Sequence, residues 1–398
     1  MKILAIADYL PMFDRASGDL RFYTILKMLA VRHAVRFCCY DWHRQLNEIG
    51  ENELARYQDQ IEKLGVEVIR SGIPAALNQE RFDVIWFEFY YAACANLAEV
   101  RFQQPGARVI IDTVDVHFHR LFAKARLSKM KKDLAQARTT KKAELRVYKA
   151  ADFVIAITEQ DRQILLQQDA DIRVEVLPNI HKVPALMAAH QRVPNSLVFV
   201  GGFSHEPNVD AMLYFCQDVL PLLRIIVPHV RLRIVGNAPT DEVKSLASED
   251  ITVVGFVPET APYLFSSDIS IAPLRYGGGI KGKIGEALAH GLPVVTTPIG
   301  AEGFGFQVGK DVLVADTPQT FADAIVTLWR DRDLYENIRK NGWNFINDRY
   351  SVQAVDHLIT PIFVRLSTCR AKRISPIKRI KMLAPHYLDK YVLWRLRA

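Results

Sequence analysis

The sequence predicts an α/β chain built as two parallel-sheet domains that face each other across a cleft. Three observations predict it. Short Val- and Ile-rich runs alternate with amphipathic stretches along most of the chain, the pattern of parallel strands covered by helices on both faces. The alternation breaks at Pro178-Asn179 and from His181 to Pro194, a stretch with two prolines and little strand pattern. It then resumes as a second series, and 398 residues suit two domains of roughly 100–200 residues each.

The first series places strands at Lys2–Ala7, Ala34–Cys39, Val66–Ile69, Asp83–Phe87, Arg108–Asp112, Phe153–Ile157 and Val174–Leu177. Amphipathic stretches such as Asp19–Val31 and Arg138–Lys149 lie between them. The second series places strands at Leu197–Val200, Arg231–Val235, Ile251–Val254, Ile269–Ala272, Pro293–Thr296 and Val312–Val314. Its helices are Val209–Leu223, Lys283–His290 and Gln319–Asp331. The expected organisation is a domain at 1–180, a linker at 181–194, a second domain at 195–351, and a C-terminal helix with a basic tail at 352–398.

Composition narrows the class. Apolar and charged fractions are those of an ordinary globular protein. The five cysteines, Cys38, Cys39, Cys94, Cys216 and Cys369, show no zinc or redox spacing, which predicts a reducing compartment. The opening MKILAIADYL is apolar but short and broken by Asp8, so it reads as a buried strand. No apolar run approaches ~18 residues, so no membrane-spanning helix is expected. Ten of the 51 Lys/Arg and one of the 44 Asp/Glu lie from Arg365 to Ala398. The remainder holds 41 basic and 43 acidic residues, a net of −2, so the excess positive charge belongs to the tail.

Ligands of open parallel sheets bind beyond the carboxyl ends of the strands, and there the informative residues lie. Ala272 to Gly303 reads APLRYGGGIKGKIGEALAHGLPVVTTPIGAEG. Gly277, Gly278 and Gly279 form a turn between a strand and the helix around Glu286. Glycines let backbone N–H groups approach an anion, and a helix start favours phosphate. Lys281 and Lys283 add positive charge, and a buried carboxylate at Glu286 can accept two hydroxyls, as on a ribose.

This segment resembles the donor-binding signature of the retaining glycosyltransferases of family 4, the glycosyl transferases group 1, which have the GT-B fold of two Rossmann-like domains. The match runs through Lys283, Glu286-Ala287, Gly291 and Pro293-Val294-Val295. The resemblance implies that Glu286 holds the donor ribose and Lys283 the diphosphate. Many members carry a second glutamate eight positions before the first. Here that position is Gly278, and the chain resembles a branch with a glycine-rich turn followed by a lysine.

Further segments join this reading. In VFVGGFSHEPNVDAMLYFCQDVLP, Gly201-Gly202 end a strand and Asn208 reads as a helix cap. The resemblance turns this loop to the diphosphate, where members often have Arg or Lys. His205 stands here, and Arg275, Lys281 or Lys283 supplies the charge. ITVVGFVPET reads by itself as a strand followed by a turn, and the resemblance implies that Gly255 to Val257, with Phe256 between, meet the nucleobase through the backbone. Ile280 follows the glycine turn as a further donor contact. In the first domain Ser17-Gly18 follows the first strand, and the resemblance implies that this loop meets the donor phosphate or acceptor; the alternative is a helix N-cap at Ser17 with Gly18 in the first turn. In IIDTVDVHFHR the resemblance implies a histidine that contacts the transferred sugar; the family position falls at Val114, so the role is carried to His117. Asp112-x-x-Asp115 makes no convincing metal site.

The expected function is therefore a hexosyltransferase with retention of configuration. It would move a sugar from a nucleotide-sugar donor to a saccharide or lipid-linked acceptor in cell-envelope or exopolysaccharide synthesis. Lys283, Glu286 and His117 would carry the chemistry, without metal or cofactor. The alternatives are a nucleotide-sugar epimerase or phosphorylase of the same fold, or a catalytically silent binding subunit. The tail, ending YLDKYVLWRLRA, reads either as an interfacial segment on anionic lipid or as a solvated segment packed on the body. No nucleic-acid motif accompanies its charge. The expected location is cytoplasmic, and on the interfacial reading of the tail it is peripheral on the inner face of the plasma membrane.

Overall fold

A computed structural model describes residues 1–186, 192–369 and 371–372. Thirteen strands form among the described residues, each within one residue of the boundaries that the sequence predicts. The first seven are β1 (Lys2–Ala7), β2 (Ala34–Cys39), β3 (Glu67–Ile69), β4 (Val84–Glu88), β5 (Arg108–Asp112), β6 (Phe153–Ala156) and β7 (Val174–Val176). They make one sheet in the order β3-β2-β1-β4-β5-β6-β7, with every pair parallel. The second sheet holds β8 (Ser196–Val200), β9 (Arg231–Val235), β10 (Ile251–Gly255), β11 (Ile269–Ala272), β12 (Val294–Thr296) and β13 (Leu313–Val314). Its order is β10-β9-β8-β11-β12-β13, again parallel throughout.

Helices on both faces explain the continuous apolar character of the central strands. In β4 every residue is buried, and in β1 all but Lys2. Apolar clusters lie on either side of the first sheet, and two more serve the second.

The predicted helix Val209–Leu223 is two helices, Glu206–Tyr214 and Leu220–Ile226, joined by a π-helical turn at Phe215–Val219. Pro221 explains the break. It has no N–H to give the preceding turn, and its ring would crowd the carbonyl four residues back; the wider turn relieves both. Asn208 lies inside the first of these helices, so it is not the cap. Its side chain instead donates to the Gly202 carbonyl at 2.6 Å.

The chain crosses between the sheets at two adjacent places. His181 N donates to Tyr350 O at 2.8 Å, and His181 forms an isolated bridge with Ser351. After the second crossing, the helix Val352–Thr368 packs Val355, Ile359, Ile362, Phe363 and Leu366 into the first domain's core beside Phe22 and Trp86. Of the ten basic residues counted in the tail, Arg365 pairs with Glu175 at 2.6 Å and Lys372 Nζ donates to the Lys149 carbonyl at 2.9 Å. The others fall at 370 and 373–398, outside the described residues. Among the described residues no helix is long and apolar enough to cross a membrane.

Candidate active site

Each sheet reverses its strand order once, between β1 and β4 and between β8 and β11. A crevice opens at such a switch point, beyond the carboxyl ends of the strands. Loops from these strand ends, with those after β5 and β10, build the candidate site.

On the second-domain side, β8 runs into Gly201-Gly202. A Cβ on Gly201 would fall 2.9 Å from Asn208 Nδ2 and 3.0 Å from Lys283 Cε, so the lysine stem lies directly against this turn. The position must be glycine for that approach. Beyond β11 the chain turns through Gly277–Gly279, with Gly279 at φ +59, and enters the helix Gly282–Ala289. Lys283 thus stands in the first turn of a helix that carries no acid there. A cation at the positive end of a helix dipole is unfavourable by itself and favourable once an anion joins it. Burial, then the charge of Lys281, push the Lys283 pKa down to about 8, against a smaller opposing pull from Glu286.

Glu286 follows one turn later. It is half-buried rather than buried. Thr260, from the loop after β10, donates its hydroxyl to one carboxylate oxygen. The other oxygen has no hydrogen-bond partner among the described residues. The carboxylate is therefore oriented by Thr260 and still able to accept. Nearby, the Phe256 ring is 49% exposed, and the Arg15 guanidinium of the first domain sits 5.7 Å from its centroid.

The first domain closes over this surface. Ser17 is the first residue of the helix Ser17–Ala30, with Ala16 in the capping position and no side-chain cap, so the N-cap reading of Ser17 does not hold. Ser17 reaches the other domain: a Cβ on Gly282 would lie 2.5 Å from its Oγ. Gly18 backs onto Val114, whose Cγ1 would be 3.3 Å from an added Cβ. Val114 itself has φ +56, a costly conformation for a β-branched residue.

His117 begins the helix His117–Ser128. Its Nδ1 is 3.0 Å from Asp115 Oδ1 and 3.8 Å from Glu144 Oε1. The rings of Phe89, Tyr90 and Tyr91 surround it at 5.1–6.2 Å. Burial works against its charged form, but Asp115 and Glu144 prevail and raise its pKa above 6.5. Asp115 also accepts from Arg120 Nε at 2.8 Å. Arg120 presses on the glycine turn, with its Cβ 2.8 Å from where a Cβ on Gly278 would be. His205, next to the Gly201-Gly202 turn, has its pKa pushed down to about 4 by burial and then by the charges of Lys283 and Arg120. Cations from opposite domains, Lys283 and Arg120, thus both bear on His205. Arg120 ends the motif quoted above but had no role assigned; only the closed tertiary contact reveals it. Thr260 was missed for the same reason.

Other expected site residues are engaged elsewhere. The Lys281 side chain is buried, with its ammonium 3.5 Å from Glu302. Arg275 is paired with Asp210 and lies over the Tyr214 ring at 5.1 Å. Neither is the free cation expected beside the phosphate turn. The Ile280 side chain belongs to an apolar cluster with Ile157 of the first domain. Asp112 and Arg21 form a fully buried pair at 2.7 Å, and Arg21 also donates to the Leu177 and Pro178 carbonyls. Among the described residues no group of three His, Cys, Asp or Glu has metal-holding geometry.

Comparison with known proteins agrees with this fold. Residues 194–331 match the family model described as glycosyl transferases group 1. A Klebsiella pneumoniae protein, described as an uncharacterized 44.6 kDa protein in the cps region, is 26% identical over 169 residues. That match spans 40% of this chain and 44% of the relative. Among solved structures, Anabaena HepE in complex with UDP and glucose superposes with a TM-score of 0.67 at 16% identity, covering 92% of this chain and 99% of that one. Sucrose-phosphate synthase from Thermosynechococcus elongatus gives 0.66 at 14% identity, covering 92% and 99%. TarM of S. aureus gives 0.58 at 15% identity, covering 74% and 57%. The chain therefore has the GT-B fold, and its second domain carries the signature of the glycosyl transferases group 1.

Proposed function

We propose that this protein is a retaining glycosyltransferase that moves a hexose from a nucleoside-diphosphate sugar to a saccharide or lipid-linked acceptor. The observation that carries the reading is Lys283. It lies against the Gly201-Gly202 turn, in the first turn of a helix, with a lowered pKa, and Arg120 of the other domain packs on the turn at Gly278 that leads into this helix. Such a site suits an anion. Glu286, one helical turn on and steadied by Thr260, suits the two hydroxyls of a ribose. HepE complexes with UDP and glucose, and the cps-region relative, support a UDP-sugar donor and a polysaccharide pathway.

In this mechanism the bond from sugar C1 to the diphosphate breaks with oxocarbenium character. Lys283, Arg120 and the helix N–H groups stabilise the departing diphosphate. The acceptor hydroxyl attacks C1 from the same face, and its proton passes to the leaving phosphate oxygen. His117 touches the transferred sugar, and closure of the first domain excludes water. No metal or other cofactor takes part.

The test is a thermal-shift screen of nucleotide sugars, followed by incubation of the stabilising one with lipid-linked and free saccharide acceptors. Acceptor-dependent release of the nucleoside diphosphate is the expected result. Interconversion of the sugar without an acceptor would indicate an epimerase, and donor binding without turnover a silent subunit.

A further inference from the structure

The helix His117–Ser128 and the helix Lys131–Ala150 form a hairpin, packed on each other. Its base belongs to the site through His117 and Arg120. Lys124 binds Glu206 of the second domain at 2.6 Å. Beyond Lys124 the surface changes character. Leu127, Met130 and Leu134 are 53%, 49% and 36% exposed. On the same two helices Arg126, Lys129, Lys131, Lys132, Arg138, Lys142 and Arg146 are exposed. None of these seven is within ion-pair distance of a carboxylate among the described residues.

The acids of the hairpin are turned inward. From Lys124 to Lys149 they are Asp133 and Glu144, both buried. Asp133 accepts from Ser128 Oγ at 2.5 Å, and Glu144 accepts from the backbone N–H groups of His117 and Phe118. The outer face is therefore basic and apolar with no negative charge. The turn itself is not chosen for stability. Lys129 takes a left-handed conformation, φ +55, where glycine or asparagine is usual, and Met130 holds a capping position without a capping side chain. Apolar side chains at an exposed tip, ringed by lysines, suit a surface that is greasy inside and anionic outside.

We propose that this hairpin tip docks the protein on an anionic phospholipid bilayer, with Leu127, Met130 and Leu134 in the headgroup layer and the surrounding lysines and arginines on lipid phosphates. A twelve-residue helix is ~18 Å long, so docking holds the cleft about that far above the headgroups. A lipid-linked acceptor then reaches the cleft without leaving the bilayer, a consequence that rests on the transferase reading; the docking itself does not. A nucleic acid or soluble polyanion would use the charges but leave the three apolar side chains without a role.

The experiment is co-sedimentation of the full chain with vesicles of phosphatidylcholine mixed with phosphatidylglycerol, and with phosphatidylcholine alone. The parent should sediment with the mixed vesicles only. Joint replacement of Lys129, Lys131 and Lys132 by Glu should weaken binding by at least about tenfold. Leu127→Ser with Met130→Ser should do likewise, in moderate salt that screens the charges. Both variants should melt like the parent, because these side chains are exposed. Binding equal to the parent's in both variants overturns the proposal. So does loss of binding only when Lys378, Arg379 and Lys381 of the tail are changed to Glu, or retention on heparin with no vesicle binding. Turnover on a soluble acceptor is not read here, so failure of docking is distinguishable from failure of the transferase reading.

Discussion

Arg120 occupies the space into which any side chain at Gly278 would grow: its Cβ stands 2.8 Å from the position of an added Cβ. The contact lies between domains and involves atoms next to the backbone, so rotation of a flexible tip cannot relieve it. Gly278→Ala should hold the first domain away from the glycine turn. Turnover should fall about 10–100-fold while donor affinity changes far less, because the donor contacts of the second domain survive. X-ray scattering of the variant should show a larger radius of gyration. Unchanged scattering with unchanged turnover would separate this contact from catalysis.

Lys283 should show opposite effects on stability and binding. Its folded pKa of about 8 lies below the ordinary 10.5, so the charged form is disfavoured in the free protein. For a base with a depressed pKa, the folding penalty is full below about 8 and is relieved as pH rises from there to 10.5. Lys283→Met should therefore raise the ligand-free melting temperature by a few degrees near neutral pH and lower donor affinity tenfold or more. In the parent, donor affinity should decline above about pH 8, where binding the diphosphate first requires a proton. Glu286→Gln should also cost tenfold or more in donor affinity, the loss of a charge-assisted hydrogen bond worth about 1.5–3 kcal/mol. Calorimetric titrations across pH check the three affinity changes, and thermal melts check the change in melting temperature.

His117 is held by Asp115 and Glu144 in a ring of aromatics, which gives it a structural share as well as the proposed contact with sugar. Its folded pKa is raised, so its pairing stabilises the fold fully below the ordinary 6.5 and is lost as pH rises through the folded value. His117→Ala should lower kcat more than donor affinity. It should also flatten the decline of melting temperature just above pH 6.5. A melting change with kcat intact would leave the histidine a purely structural part.

The product's anomeric configuration should match the donor's by NMR, and excess chelator should leave the rate unchanged. An inverted product would exclude the retaining mechanism. A rate that collapses in chelator would require ligands other than Asp112, which is taken by Arg21.

That buried pair supplies a stability prediction. Arg21 ties the end of β5 to the carbonyls of Leu177 and Pro178, where the chain leaves the first domain. Asp112→Asn should destabilise by about 3–5 kcal/mol, since it leaves a buried guanidinium without its counter-charge. Chemical denaturation checks the value.

What the sequence made legible follows from the range of the interactions. Strands declare themselves by local composition, and all thirteen were readable from Val- and Ile-rich runs. The glycine turn with Lys283 and Glu286 was readable because its residues are neighbours in sequence. Arg120 and Thr260 were not, because each acquires its place from a contact with a distant loop. The partners of Lys281 and Arg275 are illegible for the same reason: Glu302 and Asp210, which hold them, are 21 and 65 positions away. The π turn was marked locally, by Pro221, but its effect depends on the helix around it.

The return of the helix Val352–Thr368 to the first sheet has a consequence for synthesis. Phe22 and Trp86 emerge from the ribosome early, yet Ile359, Ile362 and Phe363, which cover their face of the sheet, come some 270–340 positions later. At about 5–20 residues per second, that half of the core waits for tens of seconds without its cover. The second domain, contiguous between its two crossings, has no such wait. The nascent chain should therefore complete its domains in reverse of their order in the gene, and a stop codon placed before Val352 should impair the domain at the opposite end of the protein.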